Sequence, residues 1–166
     1  MRRRGPSTTK YGGWRPWRRE RAVAAPVRAP AASPALSAPT QALFRALPLA
    51  GAPEPGSGRW VQGRAGSRRE GAEVLFHLQF SAEGTVSDVR FQAFGCPHTL
   101  ATAAWVAARL PGRSRTTLVP GSPLDWAEAL QVPAPKLGRL LRIEDALRDA
   151  ATKSLEEGVR NDGNAT

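Results

Sequence analysis

Cys96 is the single cysteine of this 166-residue chain. It stands in the run Phe94-Gly95-Cys96-Pro97-His98, where a strand-like stretch hands over to a helix-like one. A residue just ahead of a helix's first turn faces free backbone N–H groups and the positive end of the helix dipole. Both favour a thiolate. Gly95 permits a tight turn at the hand-over, and Pro97 suits a first helical turn because no N–H is needed there. His98, two residues on, is a candidate partner for the thiolate. The chemistry open to such a group is that of a nucleophile or of a soft-metal ligand. A buried and inert small hydrophobe is the competing reading, common for free cysteine. The residues alone leave the alternatives open.

A Cys-His hydrolase would need a base held within hydrogen-bond reach by a third, orienting group. The chain has two histidines. His98 lies too close in sequence to reach back from a first turn, and His77 falls on the polar side of a strand, as an ordinary sheet-surface residue. Phosphate-loop, dinucleotide-binding and HExxH patterns are absent. The expectation is therefore a protein that is not an enzyme. One cysteine also excludes an internal disulfide framework and a self-contained Cys-rich zinc site. It fits a reducing, cytoplasmic setting.

Periodicity gives the elements that must position this corner. Thr40-Gln-Ala-Leu-Phe-Arg-Ala-Leu places Leu43, Phe44 and Leu47 on one helical face, with Thr40 as the expected N-cap and Pro48 and Gly51 as terminators. Arg59–Ala65 suggests a short strand. In Glu73–Ser81, Val74, Phe76, Leu78 and Phe80 alternate with polar neighbours. In Val86–Phe94, Val89, Phe91 and Ala93 do the same, and the short intervening turn makes an antiparallel hairpin. After Gly95 the period becomes helical, with Leu100, Ala103, Ala104, Ala107 and Leu110 in one stripe. Ser122, as N-cap before Pro123, starts a short helix. Residues 136–158 read as the longest helix, burying Leu137, Leu140, Ile143, Leu147 and Ala150, with Gly158 as its stop. A helix, a small antiparallel sheet of about three strands, then helices defines an α+β class.

The net charge of +10 is unevenly placed. Residues 1–39 carry nine Lys or Arg against one acid, or +8, and the remaining 127 residues carry fifteen against thirteen, or +2. Residues 1–39 read as a disordered Arg-, Pro- and Ala-rich tail, residues 40–158 as the folded domain and 159–166 as a flexible C-terminus. The tail can be read as a basic arm on nucleic acid, with Trp14 and Trp17 as stacking groups. It can also be read as an organelle-targeting segment, as a solvated extension, or as upstream sequence translated in error. The body is nearly neutral and presents no basic patch, so nucleic acid is not the expected partner of the domain. No apolar run approaches the roughly 20 residues that span a membrane.

Two segments carry a resemblance. Phe91–Ala104, FQAFGCPHTLATAA, resembles the central-cysteine segment of the NifU/IscU-type iron–sulfur cluster assembly scaffolds. Val132–Ala150, VPAPKLGRLLRIEDALRDA, resembles that family's C-terminal segment, keeping Pro133, Lys136, Leu137, Glu144, Asp145 and Ala146 in register. The resemblance covers about residues 40–156 and implies a scaffold of cluster assembly that binds iron or an iron–sulfur cluster. Its implied partners are a cysteine desulfurase, an assembly chaperone and possible self-association as a homodimer. Family members use three cysteines, helped by an aspartate and a histidine. Carried over by position, only Cys96 survives. The first cysteine falls at or next to Glu70, with Gly71 kept, and the aspartate becomes Ala72. The histidine becomes Gly138 and the third cysteine Arg139. Cys96 is thus the candidate sulfur acceptor and the one candidate metal ligand, with Glu70, His98, Lys136 and Arg139 in support. A Glu70 carboxylate neutralising Arg139 is expected if the loops close as the family's do. One thiolate does not supply the ligands of a stable cluster on a monomer. Residues 132–136 depart from the chaperone-binding pentapeptide at three positions.

Overall fold

The computed structural model describes residues 35–162, with side chains described through Glu157. The basic tail readings that rest on Trp14 and Trp17 lie outside the described residues. Seven main elements follow in order: α1 (Ala38–Ala46), β1 (Val61–Ser67), β2 (Ala72–Phe80), β3 (Val86–Phe94), α2 (Pro97–Ala107), α3 (Pro123–Leu130) and α4 (Leu137–Asp162). The strands form one antiparallel sheet in the order β1-β2-β3. This is the α+β architecture that the periodicity implies.

The alternation in β2 and β3 sends Val74, Phe76, Leu78, Val89 and Phe91 to one face, where each is 1% exposed or less. Burying a side chain of this size contributes roughly 1.5–3 kcal/mol. Against that face lie Ala103, Ala104 and Ala107 of α2 and Leu140, Ile143, Leu147 and Ala150 of α4. Because α2 is built of small residues, it fits between α1 and β3 and is buried almost all round. Trp126 of α3 closes the core, and its indole N–H donates to the Pro120 carbonyl at 2.6 Å. Ser122 and Asp125 form a reciprocal capping box at the start of α3.

The seam between β1 and α4 is close because Gly63 has no side chain. A Cβ there would lie 2.1 Å from the Ala146 carbonyl oxygen and 2.5 Å from Ala150 Cβ. On the same seam Asp149 Oδ2 accepts from the Arg64 backbone N–H at 2.9 Å and from Lys153 Nζ at 2.6 Å. Lys153 Nζ also donates to the Gln62 carbonyl at 3.1 Å. On the far side of the sheet, Phe91 N–H donates to Leu49 O at 3.1 Å and Gly51 N–H to Phe91 O at 2.8 Å. Residues 49–51 thereby run beside β3.

Three local expectations are corrected. The N-cap of α1 is Ser37, whose hydroxyl accepts from the Thr40 N–H at 3.3 Å. Pro39 sits in the first turn, where its missing N–H costs nothing. Thr40 is fully buried instead, and its hydroxyl donates to Leu130 O at 2.8 Å. Gly158 does not stop the last helix, which continues to Asp162. A glycine inside a helix costs only about 1 kcal/mol. His77 lies on the polar side of β2 as the alternation requires, yet it is 4% exposed and not a surface residue. No helix among the described residues is long and apolar enough to cross a membrane.

Candidate functional site

Cys96 is the N-cap of α2, in extended conformation, with Pro97 as the first helical residue. Gly95, at φ 159°, brings the end of β3 close to the helix, since a Cβ there would lie 3.0 Å from Thr99 Cβ. The thiol is half-buried and lies 3.4 Å from the Thr99 hydroxyl. His98 and Thr99 follow in the first turn, and no backbone N–H there makes a capping hydrogen bond to the sulfur. Burial acts most strongly on this group and pushes its pKa up. The Thr99 hydroxyl, the Thr99 and His98 N–H groups and the Arg139 guanidinium outweigh it, so the thiol titrates below its ordinary value.

Arg139 arrives from the first turn of α4. Its Nη1 donates to the Gly71 carbonyl. That carbonyl is presented by a short 3-10 turn, Arg68–Glu70, which Ser67 caps and which ends at Gly71 with φ 78°. A left-handed residue is needed to reverse the chain there, and glycine adopts that conformation without a Cβ penalty. The turn therefore brings Gly71 and Arg139 together beside Cys96.

Glu70 does not neutralise Arg139. Its carboxylate lies 3.8 Å from Arg142 Nη2, one helical turn further along α4, and both side chains are exposed. The 3-10 turn aims Glu70 outward while its neighbour Gly71 turns in. Arg139 thus acts on the thiol with no acid paired to it among the described residues. His98 is 7% exposed, and no side-chain bond joins its ring to Cys96 among the described residues. Burial, and then the nearby Lys136 ammonium, lower its pKa, so it stays neutral and makes no cationic partner for the thiolate. Lys136 closes the 3-10 turn Ala134–Lys136 before α4.

Two contributors carry no weight in the sequence reading. Thr99 is the third residue of α2, the position from which a side chain reaches back to an N-cap. The Cys-x-x-Thr spacing is the signal that marks it. Arg142 stands three residues after Arg139, on the neighbouring row of the helix. On the open face of the sheet lies a cleft of about 500 Å³ lined by Arg64, Arg68, Glu73, Leu75, Gln92 and Phe94 among others; it reaches Phe94, two residues before Cys96, but Cys96 does not line it. Phe94 is 45% exposed, with the Arg68 guanidinium 5.5 Å from its ring centroid.

The donor set here is one thiol flanked by a guanidinium. Among the described residues no three His, Cys, Asp or Glu side chains converge. An iron–sulfur cluster held by several thiolates does not fit this set, and a permanent cation beside the sulfur opposes a metal cation. What the arrangement can do is hold a nucleophilic thiolate at a helix N-terminus.

Residues 50–158 match the family model described as the NifU-like N-terminal domain. The iron–sulfur cluster assembly scaffold protein IscU of Escherichia coli K12 is 27% identical over 88 residues, which is 53% of this chain and 69% of that protein. Among solved structures, the SUF-system iron–sulfur cluster assembly scaffold protein FiSufU of Fervidobacterium islandicum AW-1 is similar at 13% identity and a TM-score of 0.49, covering 67% of this chain and 95% of its own. The N-terminal domain of a nitrogen-fixing NifU-like protein from Brucella abortus gives 14% identity and a TM-score of 0.49, covering 73% and 94%.

Proposed function

The chain belongs to the NifU-like N-terminal domain family, and from that premise we propose a scaffold-type role in iron–sulfur cluster assembly in which Cys96 accepts sulfur instead of ligating a cluster. The observation that carries this reading is the thiol at the N-terminus of α2, with the Thr99 hydroxyl and Arg139 beside it. In this role the thiolate of Cys96 attacks the outer sulfur of a persulfide carried by a cysteine desulfurase. A new S–S bond forms on Cys96, the donor's S–S bond breaks, and the donor leaves as a thiolate, so no external oxidant is required. The positive end of α2 and the Arg139 guanidinium stabilise negative charge on the incoming sulfur. The cleft beside Phe94 supplies a surface on which the donor can dock. Iron and sulfide, where they are handled, are cargo passed on rather than a resident group. The protein acts by binding and transfer, without turnover of its own.

A second reading keeps the fold as an interaction module alone. The Arg139–Gly71 bond favours it, because the bond ties together the two segments that flank the thiol as a structural stitch would. Intact mass after incubation with a cysteine desulfurase and cysteine separates the two. A gain of one sulfur, lost on reduction and absent from Cys96→Ser, is the expected result. An unchanged mass, with the thiol open to alkylation in the same sample, would leave the interaction module as the function.

A further inference from the structure

A second concavity lies at the opposite end of the β2–β3 hairpin. The turn after β2, the start of β1 and the distal part of α4 enclose a cleft of about 480 Å³, lined by Val61, Phe80, Glu83, Arg59, Arg115 and Glu157 among others. At about 3.4 Å per residue along the strands, it is roughly 25 Å from Cys96. Its volume is that of a small-molecule site.

Arg115 is the unusual member. Its backbone is fixed to the hairpin, because Arg115 N–H donates to Gly84 O at 3.2 Å and Ser114 bridges Thr85. Its guanidinium lies over the Phe80 ring, 5.0 Å from the centroid. Nε is buried with no acceptor, and among the described residues no carboxylate, carbonyl or hydroxyl pairs with any part of the group. Of the two acids of the cleft, Glu157 lies 3.4 Å from Arg59 Nη2, and Glu83 makes no ion pair with Arg115 among the described residues. Among the described residues, Arg115 is therefore a cation held by packing and stacking, without a paired carboxylate, at the wall of a ligand-sized cleft. Its two outer N–H groups form the fork that matches a carboxylate or phosphate. Phe80 and Val61 give an apolar body somewhere to rest.

The geometry points to a site for a small organic oxyanion, with its charged end on Arg115 and its apolar part against Phe80 and Val61. This site is separate from Cys96 and does not rest on the sulfur-acceptor reading. The test is calorimetric titration of the full chain with phenylacetate, phenyl phosphate and benzylamine at fixed ionic strength. Binding of phenylacetate identifies a carboxylate ligand, and binding of phenyl phosphate a phosphate ester; benzylamine should not bind. Arg115→Met should weaken the bound oxyanion at least tenfold. Arg115→Lys, which keeps the charge without the fork, should weaken it less, and Cys96→Ser should leave it unchanged. Failure of both oxyanions to bind, equal binding of benzylamine, or full affinity in Arg115→Met would overturn the proposal. If the methionine variant does not fold, undiminished affinity in Arg115→Lys would do so.

Discussion

The β1–α4 seam and the Cys96 corner are both places where α4 meets the sheet with polar groups present, and they are finished differently. On the seam every charge is answered. Asp149 takes two donors and Lys153 two acceptors, over a glycine that lets the helix rest on strand backbone. At the corner Arg139 is bonded, among the described residues, only to a carbonyl, the acid expected to balance it faces Arg142, and the thiol it influences is the group left titratable. A saturated junction holds a fold together. An incompletely balanced one leaves a cation acting on a neighbouring titratable group, and such perturbed groups occur more often at functional sites.

The sharpest way to break the comparison is on the seam. Gly63→Ala drives a methyl into the Ala146 carbonyl, a contact with backbone that no rotamer change relieves. It should cost about 3 kcal/mol of stability, at the upper end for overpacking, as read by urea denaturation. Little loss would mean that α4 can ride off the sheet, and the seam is not the rigid partner that the contrast requires.

The strands, the core and the handover at Gly95 were all legible in the sequence, because alternation in β2 and β3 and the change of period after Phe94 are strong local signals. What escaped depends on where a chain turns rather than on what it contains. Thr40 reads as a cap because a hydroxyl residue opens the apolar-periodic run, yet Ser37 caps the helix and Pro39 already lies in its first turn. His77 was assigned to the right face, but nothing in a strand's own sequence tells how far that face is covered. Glu70 and Arg139 were both placed at the site, and only the left-handed turn at Gly71 decides that the carboxylate points away.

Acid should act on both regions in turn. His77 and His98 have pKa values lowered by burial, so each contributes stability above the ordinary histidine value that is lost as pH falls below about 6.5. For Asp149, burial raises the carboxyl pKa but the bonds from Lys153 and the Arg64 N–H outweigh it, so the net direction is down. Its contribution is intact above about pH 4 and is lost as pH falls through the lower folded value. The urea midpoint followed from pH 8 to pH 3 should therefore fall in two stages. Asp149→Asn should cost about 1 kcal/mol at neutral pH and flatten the lower stage. An identical acid limb in that variant would show that the seam carboxylate is not balanced as described.

The smallest effects test the corner. Arg139→Leu removes the cation and the bond to Gly71, so alkylation of Cys96 at neutral pH should slow several-fold as the thiol pKa rises. Glu70→Gln should leave the rate of alkylation against pH unmoved, because that carboxylate belongs to Arg142. A faster reaction in Glu70→Gln would restore the neutralising role that the structure denies it.

The residues that run beside β3 have a consequence for the protein in a crowded solution. A small sheet exposes two rows of backbone donors and acceptors, and an open row is a template on which a strand from another molecule can add. Here Leu49 and Gly51 take the bonds of Phe91 on one border, while Asp149 and Lys153 reach the Arg64 N–H and the Gln62 carbonyl on the other. These bonds interrupt the run that each border could offer for edge-to-edge strand addition. For the proposed role of Cys96 this matters, since a sulfur donor's approach would then be steered to side chains and away from the backbone.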